Sequence, residues 1–137
     1  MTALCHSGDN RMMHDACEMV TKGDILVVAY SSGNTDGAVG ELAATSLRAR
    51  GCKGVVLDLG CRDAAEITEM KFPLWSRVIS AKGTVKASIG SVNLPAVCAG
   101  VNVRPGDVVV AELGLDIDDM RKSLAEKGLK YVDGPLE

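Results

Sequence analysis

The sequence has few aromatic residues, which make up 3% of its 137 residues. Its hydrophobic core must therefore be built from aliphatic side chains, alanine and methionine. The five cysteines form neither a C-x-x-C pair nor the spacing of a zinc site. Because an odd cysteine count without such a framework is typical of reduced proteins, we expect a cytoplasmic location.

Several features that would assign the chain to other classes are also missing. The formal net charge of −3 shows no bias toward nucleic acid. No apolar run is long enough to cross a membrane, and the first residues lack the pattern of a signal peptide. Walker, dinucleotide-binding and nucleophile-elbow motifs are absent as well. With 47% hydrophobic residues, the sequence predicts a single domain over residues 1–137 that binds neither nucleic acid nor membrane.

Apolar periodicity predicts alternating strands and helices in the first half of the chain. Strands are predicted at 1–5, 25–30, 55–59 and 74–79, and helices at 10–20, 40–50 and after Asp63. Glycine and proline divide residues 80–106 into short segments, which predicts antiparallel strands at 85–89 and around Val97 and Val101. A strand at 108–111 and a helix at 116–127 complete the prediction of a layered α/β or α+β domain.

The stretch from Gly54 to Asp63 is the centre of this pattern. Its apolar residues predict a buried strand that reaches a glycine turn at Gly60. Arg62 and Asp63 then lie at the carboxyl end of the strand, where α/β folds bind ligands. Arg62 can bind a carboxylate through two parallel N–H bonds, and Asp63 can bind a divalent cation. The alternative is a helix-capping aspartate beside a surface arginine.

A second candidate segment, Gly40-Glu41-Leu42-Ala43, begins a predicted helix. The N–H groups of a first helical turn can bind an anion, and Glu41 could act as a base or orient a water. Alternatively, Glu41 is an acidic residue that the helix dipole favours at this position. Lys82 and Lys86 could likewise meet an anionic substrate, or they could simply lie on a solvated loop.

At these residues the chain resembles the metal-dependent 4-hydroxy-4-methyl-2-oxoglutarate/4-carboxy-4-hydroxy-2-oxoadipate aldolases, which are homologous to the regulator of ribonuclease activity A proteins. The matching segments are residues 6–10, 12–14, 23–25, 35–37, 40–41, 44–46, 48–51, 58–63, 82–86, 90–93 and 105–107. The longer matches are similar to the carboxy-hydroxy-oxoadipate branch, which acts in protocatechuate degradation. The resemblance implies a layered β/β/α sandwich of the ribonuclease-regulator/class II aldolase type.

The resemblance also implies a reaction and a role for each candidate residue. Gly40, Glu41, Leu42 and Ala43 would line the substrate site, Arg62 would bind the pyruvyl group, and Asp63 would ligate Mg²⁺ or Mn²⁺. The enzyme would cleave 4-carboxy-4-hydroxy-2-oxoadipate to pyruvate and oxaloacetate, with Glu41 organising the water that acts as base. Decarboxylation of oxaloacetate would be a side activity.

The resemblance further implies a homotrimer or homohexamer with sites at subunit interfaces. Relative to the family pattern, the chain lacks an N-terminal part and an internal segment near Ala111. We therefore expect a truncated form of the fold whose activity could be impaired. Two alternatives remain open: a protein-binding module like the ribonuclease regulators, and an inactive remnant of the aldolase.

Overall fold

The computed structural model of the protein describes residues 1–110, of which Met1–Asp107 form one compact unit. The strands are β1 (Thr2–Cys5), β2 (Ile25–Tyr30), β3 (Gly37–Val39), β4 (Gly54–Cys61), β5 (Leu74–Ile79), β6 (Ser91–Val92), β7 (Ala96–Cys98) and β8 (Val101–Val103). The helices are α1 (Arg11–Met19), α2 (Glu41–Ala49) and α3 (Ala64–Glu69). No helix within residues 1–110 has the length and apolar composition needed to cross a membrane.

Strand β4 is the central strand of the main sheet and pairs with three other strands. It pairs in parallel with β2 through its first half, with β3 at Gly60 and Cys61, and with β5. Strand β1 lies parallel to β2, and β6 pairs antiparallel with β1. The carboxyl ends of β3, β4 and β5 therefore meet at one edge of the sheet, directly before Arg62 and Asp63.

Side-chain alternation along β2 divides the molecule into layers. Leu26 and Val28 belong to the main core cluster, which also includes Met13 of α1 and Leu47 of α2. Val27 points to the opposite face because successive residues of a strand alternate. The antiparallel hairpin β7–β8 contacts β2 and forms a further layer. Helices, a central sheet and a hairpin layer confirm the predicted layered α/β fold.

Most elements predicted in the first 79 residues are confirmed. The predicted end of the central strand is wrong, because β4 continues through Gly60 to Cys61. The short strand β3 was not predicted. Residues 85–89 form no strand, and residues 108–110 form none either. The predicted helix at 116–127 lies outside the described residues, and so does part of the single domain predicted for 1–137.

The backbone of residues 85–88 is held by the segment that precedes α1. The N–H of Val85 donates to the carbonyl of Gly8 (3.0 Å) and its carbonyl accepts from the N–H of Asn10 (3.0 Å), while the Asp9 side chain holds the residues that follow. Asp9 is 2% exposed, and its carboxylate accepts hydrogen bonds from the N–H groups of Arg11 (2.8 Å), Ala87 (2.8 Å) and Ser88 (2.6 Å). Burial acts to raise the pKa of Asp9, but these hydrogen bonds outweigh it and lower the pKa to about 2. Asp9 thus fastens the start of α1 to the segment that follows β5.

Replacing Asp9 with asparagine should therefore destabilise the protein at neutral pH. The folded-state pKa of about 2 lies below the ordinary value of 3.8, so the charged carboxylate stabilises the fold above pH 3.8. This contribution disappears as the pH falls from 3.8 toward 2. Thermal melts should be measured from neutral pH down to the acid range. The Tm of Asp9→Asn should lie below that of the parent at neutral pH, and the difference should become smaller as the pH falls below 3.8.

Asp15→Asn is the matched control because Asp15 is an exposed acidic residue of α1 whose carboxylate lies 3.8 Å from Arg11. Exposed pairs of this kind contribute about 0–1 kcal/mol, so its Tm should change little. A Tm difference for Asp9→Asn that does not vary with pH would contradict the assigned role.

Candidate functional site

The end of β4 sets the position of Arg62 and Asp63. The N–H of Arg62 donates to the carbonyl of Val39 (2.9 Å), which extends the β3–β4 pairing by one bond. Asp63 follows with φ of 55°, in the left-handed region. Few residues other than glycine adopt this conformation, although aspartate is among those that tolerate it. The chain turns sharply here and enters α3 at Ala64.

The Asp63 carboxylate bonds to a different helix from the one it precedes. It makes no capping hydrogen bond to α3, so the capping role considered for it is wrong. Its Oδ2 instead accepts a hydrogen bond from the N–H of Glu41 (2.9 Å), the first residue of α2. The reason is the left-handed turn, which directs the carboxylate toward the neighbouring helix. Favourable contact with a helix N-terminus is thus retained, but with α2.

Gly40 provides the space in which this contact forms. A methyl group on Gly40 would collide with Oδ2 of Asp63 and would lie 2.9 Å from Nε of Arg62. The backbone of Gly40 is extended, with φ of −129°. The requirement for glycine is therefore one of space and not of backbone conformation. Gly40, Arg62 and Asp63 form one packed group, which we call the Arg–Asp corner.

A depression of about 380 Å³ opens beside the Arg–Asp corner. It is lined by Arg62 and Asp63 and by the residues Ile79, Ser80 and Ala81 at the end of β5. The side chains of Arg62 and Asp63 are 48% and 43% exposed, and Nε of Arg62 lies 3.9 Å from Oδ2 of Asp63. A cationic fork and a carboxylate therefore face solvent together, where a small anion could contact both the fork and a cation held by the carboxylate.

Glu41 contributes its backbone, but its carboxylate lies elsewhere. Oε1 accepts a hydrogen bond from the hydroxyl of Thr45 (2.9 Å), one turn along α2. The Glu41 side chain borders a separate depression with Glu66, Glu69 and Met70. The structure thus brings the N–H of Glu41 to Asp63 and directs its carboxylate along the helix. The role of that carboxylate in catalysis remains a prediction.

Leu42 and Ala43 lie at the exposed start of α2. Their side chains border a groove between α1 and α2 that also includes His14, and Leu42 is 82% exposed. Intrahelical bonding begins when the N–H of Ala44 donates to the carbonyl of Gly40 (3.1 Å). The N–H groups of Leu42 and Ala43 precede that bond, so they can donate to an anion.

His14 lies near charges of both signs. Burial lowers the pKa of His14, and the positive charges of Lys86 and Arg62 lower it further, while Asp15 opposes them. The lowered pKa favours the neutral imidazole of His14 at pH 7. The positive charges of Arg62 and Lys86 would attract a negatively charged small molecule, and the carboxylate of Asp15 would oppose them.

A metal at this site would depend on one protein carboxylate. Within residues 1–110 no group of three or more His, Cys, Asp or Glu side chains is arranged to hold a metal ion. Zinc sites need such a set, whereas Mg²⁺ keeps several waters and binds through one or two carboxylates plus substrate oxygens. The donor set around Asp63 fits Mg²⁺ or Mn²⁺ of this hydrated kind, completed by the substrate.

The residues that reasoning from sequence missed are Ile79, Ser80 and Ala81. They carry no charge and no catalytic group, so neither composition nor motif marks them. Their position directly after a predicted strand could have indicated them. The carboxyl ends of neighbouring parallel strands lie together, and ligands bind there.

Comparison with known proteins yields a family match and several relatives. The family model described as "RraA-like: Aldolase/RraA" matches residues 1–113. A relative from Halalkalibacterium halodurans, named "Putative 4-hydroxy-4-methyl-2-oxoglutarate aldolase", is 30% identical over 81% of this chain and 53% of its own length. The chain thus spans about half the length of this relative.

Two solved structures are similar to the chain with a TM-score of 0.70 and 27% identity over 77% of it. One is named as the RNA-processing inhibitor RraA from Thermus thermophilis, of which the match covers 63%. The other is named as an S-adenosylmethionine:2-dimethylmenaquinone methyltransferase from Geobacillus kaustophilus, of which the match covers 65%. These relatives share a fold but are named for different functions. The fold alone therefore does not identify which function this chain has.

Proposed function

Because the chain belongs to the RraA-like (Aldolase/RraA) family, we propose that it is a divalent-metal-dependent lyase that releases pyruvate from 2-oxo acids. The proposed substrate is 4-carboxy-4-hydroxy-2-oxoadipate, which would give pyruvate and oxaloacetate. Decarboxylation of oxaloacetate is the proposed side reaction. The proposed state is a homotrimer or homohexamer.

One observation carries this proposal: Arg62 and Asp63 lie side by side at the carboxyl end of β4, facing solvent, with Gly40 leaving space for both. A structural ion pair would need no such space and no left-handed aspartate. Strained backbone that persists beside a depression is typical of functional sites. The names of the aldolase relatives then favour pyruvate chemistry at this corner.

Binding of the substrate would use two kinds of donor. The guanidinium of Arg62 can bind the carboxylate next to the 2-oxo group through parallel N–H bonds. The N–H groups of Leu42 and Ala43 at the start of α2 can bind an oxygen of the same group. Arg62 lies beside Asp63, and α2 begins at Glu41, whose N–H donates to Asp63; the carboxylate of Asp63 would hold Mg²⁺ or Mn²⁺.

The reaction breaks the bond between C3 and C4 of the substrate. The hydroxyl on C4 loses its proton to a base, C4 becomes the carbonyl of oxaloacetate, and the electron pair of the broken bond remains on the pyruvate half as an enolate. Arg62 stabilises the negative charge of the enolate, which takes up a proton at C3 to give pyruvate. Bound Mg²⁺ or Mn²⁺ supplies Lewis-acid polarisation of the 2-oxo group.

The position of Glu41 bears on the proton transfer. Its carboxylate is bonded to Thr45 and would have to rotate away from that hydroxyl to organise a base beside Asp63. The proposed catalytic role of Glu41 therefore includes a change of rotamer, whereas its backbone role is already in place.

Removal of metal should abolish activity. With oxaloacetate and Mg²⁺, the protein should form pyruvate at least ~10-fold faster than Mg²⁺ alone, and a chelator should return the rate to background. Mn²⁺ added after chelation should restore turnover. A coupled lactate dehydrogenase assay measures the pyruvate, and protein-free reactions with each metal provide the background.

A cooperatively folded sample that forms pyruvate no faster than the metal alone would overturn the lyase proposal. The second candidate would then lead: a protein-binding module, favoured by the similarity to the RNA-processing inhibitor. Its test is co-purification with a ribonuclease. A broad, non-cooperative melt would instead favour an inactive remnant.

A further inference from the structure

Two segments of the chain meet over the end of β4. The first, residues 35–37, runs into β3, and the second, residues 80–82, follows β5. We call these two segments together the collar. Strand β4 passes the collar at Gly60 and Cys61, directly before Arg62.

Backbone hydrogen bonds attach the collar to β4 and join its two halves. The N–H of Gly60 donates to the carbonyl of Asp36 (3.2 Å), and the N–H of Ser80 donates to the carbonyl of Cys61 (2.8 Å). The N–H of Gly37 donates to the carbonyl of Lys82 (2.8 Å). The last two residues of β4 are therefore held from both sides.

The packing inside the collar leaves no space for side chains. A methyl group on Gly37 would collide with the carbonyl oxygen of Ser80, and one on Gly60 would collide with that of Thr35. Glycine inside a strand often marks such a close approach of another backbone. A small shift of either half of the collar would therefore be passed on to β4.

An ion pair connects the two halves of the collar. Nζ of Lys82 lies 2.9 Å from Oδ1 of Asp36, whose side chain is 8% exposed. The other oxygen of Asp36 accepts a hydrogen bond from the amide of Asn34 (3.3 Å). A buried carboxylate needs a positive partner, and Lys82 supplies it although its own side chain is 73% exposed. Without Lys82, the buried charge would favour opening of the collar.

We propose that Asp36 and Lys82 are positioning residues for the Arg–Asp corner, an inference that rests on the proposed function. Arg62 and Asp63 directly follow the two residues held by the collar. Ser80 and Ala81 belong to the collar and also line the depression beside Arg62. The ion pair thus fixes the backbone from which Arg62 extends and the part of the depression lined by Ser80 and Ala81.

A positioning role predicts a specific pattern of kinetic change. Misplacement of reacting groups by about 1 Å can cost ~10²-fold in rate. Lys82→Met, which keeps most of the length of the side chain and removes its charge, should lower kcat for oxaloacetate decarboxylation by ~10- to 10²-fold. KM should change less than kcat, and Lys82→Arg, which keeps the charge, should recover most of the activity.

Amide hydrogen exchange provides a readout that does not depend on turnover. In Lys82→Met and in Asp36→Asn, the amides of Gly37, Gly60, Ser80 and Arg62 should exchange at least ~10-fold faster, while those in the middle of β2 stay protected. Lys53→Met is the matched control because Lys53 precedes the opposite end of β4. It should alter neither the exchange of these amides nor kcat.

The two measurements separate the inference from the proposed function. If the parent protein lacks decarboxylase activity but these amides respond as expected, the lyase proposal fails and the positioning of Arg62 by the collar stands. Parent-like exchange of the collar amides in both Lys82→Met and Asp36→Asn would overturn the inference. So would a loss of activity in Lys82→Arg equal to that in Lys82→Met.

Discussion

Replacing Arg62 with alanine should lower kcat/KM for oxaloacetate decarboxylation by about 10²–10³-fold, the usual effect of removing a donor that stabilises a developing oxyanion. The Arg62 side chain is 48% exposed, so the Tm should change little. The Arg62→Lys variant would keep the charge but lose the bidentate geometry, so intermediate activity is expected. Steady-state pyruvate release at saturating Mg²⁺ measures each variant.

Arg50→Ala is the control for the loss of an arginine. Arg50 follows α2 at its far end and pairs with Glu18 on the surface, so its removal should leave kcat/KM within about twofold of the parent. Parent-like activity of Arg62→Ala would show that the Arg–Asp corner is not where pyruvate is formed. Equal losses in both variants would point to a general effect of arginine removal.

Replacing Gly40 with alanine should inactivate the site with little effect on the fold. An alanine can adopt the extended backbone at Gly40, where φ is −129°, so no backbone strain results. Its methyl group, however, would displace both the Asp63 carboxylate and the Arg62 side chain. We expect a loss of about 10²-fold in kcat/KM, together with a higher Mg²⁺ concentration for half-maximal rate.

Gly33→Ala is the matched control because a methyl group there would meet no atom within 4 Å. Its activity and its Mg²⁺ requirement should equal those of the parent. If Gly40→Ala retained full activity with an unchanged Mg²⁺ requirement, the packing of Gly40 against Asp63 would have no part in function. A large drop in Tm would instead show that Gly40 serves the fold.

Much of the fold follows from apolar periodicity. Strand β2 and helices α1 and α2 lie where the pattern predicts them, because each buries an apolar face. Strand β5 also lies where it was predicted, although its residues are only half-buried or exposed. The end of β4 was missed because glycine was interpreted as a turn. Gly60 is instead needed for the close approach of Thr35, a contact that depends on a segment 25 residues earlier in the chain.

The candidate site was predictable only in part. Arg62 and Asp63 could be placed at the carboxyl end of a strand from local sequence alone. The link from Asp63 to Glu41 could not, because it depends on the left-handed turn at Asp63 and on the packing of α2 against it. The burial of Asp36 could not be predicted from the sequence either, because an aspartate in a polar loop is normally exposed to solvent.

The contacts of Asp9 also determine when the start of α1 can be fastened during synthesis of the chain. Its carboxylate bonds to Ala87 and Ser88, which are 78 and 79 positions away in the sequence. Closing so long a loop is slow compared with forming α1 or α2. A ribosome must therefore deliver about eighty residues after Asp9 before the start of α1 can be fastened in place. Incompletely packed chains expose apolar surface, so this interval carries a risk of aggregation.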